Sequence, residues 1–313
     1  MKKISMIIPC YNEEGNVKLF FEDAIKTYKD NKNYKIELIF IDDGSKDNTL
    51  KELKEISKTK EFPVKVISFS RNFGKESVIY AGLNASSGDY TVLIDADMQQ
   101  PPHLTLKMAE LLDQEKEIDC VCYYQSKRIE SKLMTGIKNI FYKMMNKISD
   151  VELKQGASDF RMFRNNIKEA LLSLDERCRF TKGIFSWIGF NTKYLPYTPE
   201  KRAHGISKWN PYKLFKYGIE GIVSFSTKPL KLATLLGMFL SILSCIYLIV
   251  VLIQKLFIGI DIPGYPTIIT LILLLGGIQL FCIGIIGEYI SKIYLESKNR
   301  PIYIIKEEIS NDK

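Results

Sequence analysis

Histidine is almost absent from this sequence. With only His103 and His204 in 313 residues, the ring nitrogens for a catalytic zinc centre are lacking. Cysteine is sparse as well: six residues, scattered, two of them (Cys245 and Cys282) inside long apolar runs. Cys120-Val-Cys122 is not a zinc spacing, and unpaired thiols fit a reducing, cytosolic setting. Neither G-x-G-x-x-G after the first apolar run nor G-x-x-x-x-G-K-[ST] occurs, so dinucleotide and P-loop readings lose their signature. No internal repeat and no low-complexity tract stands out. The opening Met1-Lys2-Lys3 is followed only by Ile4–Cys10, too short an apolar stretch for a signal peptide.

Charge is missing from two places in particular. Leu232–Gln254 and Ile262–Gly287 contain no charged residue, and each exceeds the roughly 20 residues needed to cross about 30 Å of hydrocarbon. A membrane hairpin is expected, with spans at about 232–254 and 264–287. The net charge of +8 gathers around it. Lys201, Arg202, Lys208, Lys213, Lys216, Lys228 and Lys231 precede the first span, and Lys292, Lys298, Arg300 and Lys306 follow the second. Only Lys255, with Asp261, lies between. That asymmetry puts both termini in the cytoplasm of a multi-pass protein of the inner (plasma) membrane. It also assigns the basic surplus to anionic lipid rather than to nucleic acid.

Ahead of the hairpin, apolar runs alternate with helical spacing. Lys3–Pro9, Lys35–Ile41, Val64–Phe69, Tyr90–Asp95 and Ile118–Tyr124 read as strands, with helices predicted over about 15–29, after Lys75 and over about 103–115. Asn12 is a candidate cap for the first of these helices. The alternation predicts a doubly wound, mostly parallel α/β sheet, whose strand ends share one rim. Asp42, Asp43, Arg71 and the pair Asp95/Asp97 fall there. Two carboxylates at i and i+2 of an extended chain point the same way, and hard oxygen ligands suit Mg²⁺ or Mn²⁺. Ser131–Ile148 repeats apolar residues at helical spacing with lysines between them, which fits a core helix or one lying in the membrane interface. Tyr212–Phe225 has the same character and leads into the first span.

The blocks Pro9-Cys-Tyr-Asn-Glu13, Asp42-Asp43-Gly44-Ser45, Ser70-Arg-Asn-Phe-Gly-Lys75 and Asp95-Ala-Asp-Met-Gln99 follow in order at successive strand ends. Ser158-Asp-Phe-Arg161, Arg179-Phe-Thr-Lys-Gly183, Ser207-Lys208-Trp209, Ser224-Phe-Ser226, Gly287-Glu-Tyr289 and Asn299-Arg-Pro301 come later. Together they resemble family 2 glycosyltransferases of the polyprenyl-phosphate type, the dolichol-phosphate mannose synthases and, more closely, the bactoprenol glucosyltransferases. The resemblance runs from about residue 4 to 305. Met98, Gln100 and His103 depart from the similar DADLQDPPE segment.

The resemblance implies a GT-A (Rossmann-like) domain over 1–210, juxtamembrane amphipathic helices over 211–231, the hairpin within 232–290 and a cytoplasmic tail over 291–313. It implies inverting, metal-dependent transfer of a hexose, glucose by resemblance, from UDP-glucose to undecaprenyl phosphate, for modification of cell-surface glycans. Asp97 and Gln99 would hold Mg²⁺ or Mn²⁺, with Asp95 shared between metal and ribose. Pro9, Tyr11 and Glu13 would line the nucleoside pocket, Asp42 or Asp43 would meet the base edge, and Arg71 and Lys75 belong to the same nucleotide-sugar site. Asp159 stands where the resemblance puts a catalytic base, and would orient or deprotonate the acceptor. Arg128, Arg161, Arg202 and Lys208 are candidate clamps for the lipid phosphate, since guanidinium suits bidentate phosphate contact. Gly276-Gly277, Gly284 and Gly287 permit close helix approach; with the tail at Pro301–Ile305 they make a homo-oligomer, up to a tetramer, the expectation. Other sugars (N-acetylhexosamine, mannose, aminoarabinose) stay open, as does a membrane adaptor with an inactive transferase domain. A processive synthase would need Q-x-x-R-W and more spans.

Overall fold

The computed structural model describes residues 1–125, 146, 151, 154, 157–198, 211–257 and 264–311. Four parallel strands carry the centre: β1 (Lys2–Cys10), β2 (Tyr34–Asp42), β3 (Val64–Phe69) and β4 (Tyr90–Leu93), in the spatial order β3-β2-β1-β4. They are apolar on both faces because helices cover both. Ile4, Met6 and Ile8 of β1 pack with Phe20 of α1 (Val17–Tyr28), Leu53 of α2 (Thr49–Ile56) and Met108 of α4 (Leu104–Gln114). Ile7, pointing the other way, packs with Val78 and Leu83 of α3 (Lys75–Ala85) and with Ile167. Alternation along a strand sorts the two layers.

The sheet is less regular than simple alternation predicts. β5 (Cys120–Gln125) does not pair with β4; β6 (Ala157–Arg164) lies between them, antiparallel to both. β7 (Thr192–Tyr197) then adds parallel to β5. At the opposite edge β8 (Ile305–Ser310) runs antiparallel to β3. This strand covers the β3 edge that the chain would otherwise leave exposed. The Asn311 side chain secures it, accepting from Val64 N (2.7 Å) and donating to Thr59 O (2.6 Å) and Phe62 O (3.0 Å).

After the sheet come helices Pro211–Phe225, Lys228–Phe257 and Tyr265–Ser297. Their apolar parts, Lys228–Val251 (mean hydropathy 2.5) and Thr270–Ser297 (2.3), are long enough to cross a bilayer, and no residue of their most apolar windows is buried. The first helix extends beyond its uncharged run at both ends and the second beyond the C-terminal end of its own. A Cβ added at Gly276, Gly277, Gly284 or Gly287 would meet nothing within 4 Å, so the contact between the two helices does not use those positions. The stretch 131–148, expected as an amphipathic helix, lies outside the described residues apart from Asn146.

Candidate active site

The register places the acidic strand ends together. Cys10 is opposite Asp42, and Asp42 opposite Ser68, so the loops after β1, β2 and β3 meet at one rim. Asn12 does not cap α1. It sits at φ 53, takes the Lys46 N–H on its carbonyl (2.9 Å) and donates its own N–H to Ser45 Oγ (2.9 Å). Glu13 N–H reaches Thr49 Oγ1 (2.8 Å), while the Glu13 carboxylate accepts from Asn16 Nδ2 (2.6 Å). Pro9 and Tyr11 stand half-buried beside this stitching.

Asp42 and Asp43 are buried and engaged with the protein itself. Asp42 accepts from Ser45 N (3.0 Å) and Ser68 Oγ (2.8 Å); Asp43 accepts from Phe73 N (2.7 Å) and Gly74 N (3.0 Å). Burial pushes the Asp43 carboxyl up, against those two backbone donors. Both carboxylates thus shape the loops after β2 and β3 at the rim where one of them is expected to meet a base edge. Gly44 (φ 66) completes the fit, because a Cβ there would lie 2.6 Å from the Arg71 carbonyl carbon. Arg71 itself is exposed, its guanidinium 4.1 Å over the Phe73 ring.

β4 ends at Leu93, so Asp95 and Asp97 stand on a turn and not on an extended strand. Asp97 accepts from Gln99 N (3.1 Å) across Met98, whose φ of 62 is uncommon for a residue with a side chain. Gln100, one of the departures from the similar sequences, is 6% exposed, and its carbonyl accepts from Asp95 N (3.1 Å). It braces the acidic turn from within.

The antiparallel strand explains how Asp159 arrives here. Leu93 pairs with Arg161, so the start of β6 lies beside the end of β4. The Lys75 ammonium bridges the two, 2.8 Å from Asp95 Oδ1 and 2.8 Å from Asp159 Oδ2. Lys182 adds a second cation, 3.8 Å from Asp159 Oδ1. Burial would raise the Asp159 carboxyl, but Lys182, Lys75 and Arg161 outweigh it and hold it well below the usual carboxylate range. Desolvation would lower Lys75, but Asp159 and Asp95 hold it above an ordinary lysine. Lys182 was missed as a site residue. Its signal was the Arg179-Phe-Thr-Lys-Gly183 block, which Glu76 fixes in place by accepting from Thr181 N (2.9 Å) and Thr181 Oγ1.

Arg161 is not an open clamp. It is 5% exposed, lies 4.2 Å from the Phe185 ring and donates to Ser158 O (3.0 Å), so its charge serves Asp159 from behind. Arg128, Arg202 and Lys208 lie outside the described residues. Among those described, no three His, Cys, Asp or Glu side chains gather into a closed metal cage. The donors present still suit a hard cation completed by substrate: Mg²⁺ commonly binds through one or two carboxylates plus phosphate oxygens. A cation, the Lys75 ammonium, already lies against Asp95.

An α/β domain with acidic and basic side chains facing each other at one rim, followed by a hairpin of two apolar helices, is the build of a GT-A glycosyltransferase with candidate membrane spans. The chain belongs to glycosyl transferase family 2: residues 5–172 match that family and residues 228–293 match the GtrB C-terminal hairpin. CsbB of Bacillus subtilis (strain 168) is 45% identical over 304 residues, spanning 97% of this chain and 91% of that one. The bactoprenol glucosyl transferase of Shigella phage SfV is 40% identical over 311 residues, 98% of this chain and 99% of its own. The prophage bactoprenol glucosyl transferase homolog of Escherichia coli (strain K12) is 37% identical, at 97% and 98%. A solved structure, glucosyl-3-phosphoglycerate synthase of Mycobacterium tuberculosis with Mn²⁺, UDP-glucose and phosphoglyceric acid, aligns at 20% identity over 71% of this chain and 78% of that one. The TM-score of that alignment is 0.47.

Proposed function

We propose that residues 1–210 transfer glucose from UDP-glucose to a polyprenyl phosphate of the undecaprenyl class, with inversion, at the cytoplasmic face of the inner membrane. The observation that carries this reading is the Asp95–Lys75–Asp159–Lys182 cluster at the rim of a family 2 domain joined to an apolar hairpin. The relatives named bactoprenol glucosyl transferases support the lipid acceptor and the sugar. An isoprenoid tail stays in the bilayer, which gives the hairpin its purpose. Assembly as a homo-oligomer belongs to the same reading.

In this reading the loops braced by Asp42, Asp43 and Glu13 hold the nucleoside, with Pro9, Tyr11 and Arg71 around it. Asp95 and Asp97, with Gln99, hold Mg²⁺ or Mn²⁺, which supplies positive charge to the departing diphosphate when bound. A lipid phosphate oxygen attacks the anomeric carbon as the bond to the diphosphate oxygen breaks. That oxygen is already ionised near neutral pH, so no strong base is needed. Asp159, held far below the usual carboxylate range, serves in this reading to position Lys75 and Lys182 rather than to take a proton. Lys182 joins Arg128, Arg202 and Lys208 as cations for the acceptor phosphate, holding it in line. The test is release of UDP from UDP-glucose in the presence of undecaprenyl phosphate. Asp97→Ala is expected to lower turnover by about a hundredfold or more, the scale of losing a charge-stabilising group; equal turnover would remove the metal assignment.

A further inference from the structure

Lys75 occupies an unusual position: one ammonium serves two carboxylates, Asp95 on the turn after β4 and Asp159 on the antiparallel strand β6, at 2.8 Å each. We propose that Lys75 is the resident cation of the metal-free site and competes with the divalent metal for Asp95. The inference rests on the reading above that Asp95 helps to hold that metal.

Three observations carry it. Asp95 and Asp159 are brought side by side by the β4–β6 pairing, and carboxylates that close repel unless a cation lies between them. Lys75 is the first residue of α3, directly after Gly74 at φ 95, so its flexible four-carbon stem starts from the rim and can swing between the two. Asp159 has a second cation in Lys182, and Arg161 contributes from behind. Asp159 is therefore compensated whether or not Lys75 is shared, whereas Asp95 has Lys75 as its ion-pair partner among the described residues.

A dication arriving at Asp95 meets a positive charge already there. It must displace Lys75 towards Asp159, and the repulsion left between them weakens metal binding to the empty site. A nucleoside diphosphate brings two or three negative charges and removes that repulsion. Metal and diphosphate then enter together, each raising the affinity for the other by the same factor. The site avoids capturing free metal and closes its charge balance only with donor present.

Binding of Mn²⁺ to the full-length protein in detergent, followed by loss of the free-ion electron paramagnetic resonance signal, tests this with and without UDP. Lys75→Met is expected to bind Mn²⁺ alone about tenfold more tightly than wild type, within the usual span of coupling between sites, and to gain less from UDP. Asp159→Asn leaves Lys75 wholly to Asp95 and is expected to weaken Mn²⁺ binding several-fold. Lys75→Arg, which keeps the charge, should resemble wild type. An unchanged or weaker affinity in folded Lys75→Met overturns the proposal. Should Lys75→Met fail to fold, unchanged or tighter binding by Asp159→Asn overturns it instead. Wild type that binds no Mn²⁺ even with UDP rejects the metal reading itself, a result distinct from equal binding by all variants.

Discussion

Asp159 illustrates what a single residue's surroundings decide. Read from the motif alone, it stood for orientation or for proton removal. Between Lys75 and Lys182, with Arg161 behind, its carboxyl lies well below the usual range, which favours the first role. The sign is plain: a depressed carboxyl loses its charge only as the pH falls through its lowered value, so Asp159 stays ionised across the range in which an ordinary carboxylate titrates. The acid limb of the rate then belongs to the acceptor phosphate, whose second ionisation is near pH 6. Turnover is expected to fall below about pH 6 in wild type, and in Asp159→Asn to start lower with the limb unmoved. A limb shifted by a unit or more in Asp159→Asn would mean that this carboxyl titrates after all. Asp95, Asp97, Lys75 and Asp159 were legible as motif residues. Gln100 and Glu76 were not, because each acts through a contact with a partner distant in the chain or hidden in a turn.

At the scale of elements, the first four strands with α1, α3 and α4 were legible from periodicity and turn residues. β6 and β8 were not. β6 carries Ser158, Asp159, Arg161 and Arg164 among its eight residues, a polar pattern that conceals a strand, and only pairing with β4 and β5 makes it one. β8 alternates exposed and half-buried residues and is stabilised by the edge it covers. Its approach also holds the site: Tyr303 stacks on Phe69 (centroids 5.0 Å apart) and Ile304 O accepts from Ser70 N (3.0 Å), next to Arg71. Deleting residues 303–313 bares the β3 edge and removes a stacked aromatic pair. The expected result is a fall of about 5 °C or more in melting temperature, since each kcal/mol is worth roughly 2–4 °C in a domain of this size. A weaker affinity for UDP-glucose and self-association visible by light scattering should accompany it. A truncated protein with unaltered melting and donor affinity would show that the strand is dispensable.

For the whole molecule, the late motifs form the joint between the catalytic domain and the hairpin. Tyr289 donates to Ser226 O (2.6 Å), and Lys292 donates to Ser224 Oγ (2.6 Å). Near the end of the second long helix the Glu296 carboxylate accepts from Arg177 N (2.9 Å) and Cys178 N (2.7 Å), while Arg177 Nε donates to Arg300 O (2.7 Å). Phe225, three residues before the first long helix, lies where a Cβ on Gly183 would clash at 2.4 Å. Both contacts converge on the segment that carries Lys182, one from the second long helix and one from the helix that precedes the first. Because β8 returns to β3 after two apolar helices, the tail and the catalytic domain share one side of any bilayer the helices cross twice. Loss of two hydrogen bonds to a carboxylate, at about 1.5–3 kcal/mol each, should let that segment drift. Glu296→Ala is therefore expected to raise KM for polyprenyl phosphate about tenfold while leaving affinity for UDP near that of wild type. Glu296→Gln, whose amide oxygen can still accept where Oε1 stands but without the charge, should recover part of the loss. An unchanged lipid KM, or an equal loss of UDP affinity, would show that this contact secures the fold without placing the acceptor.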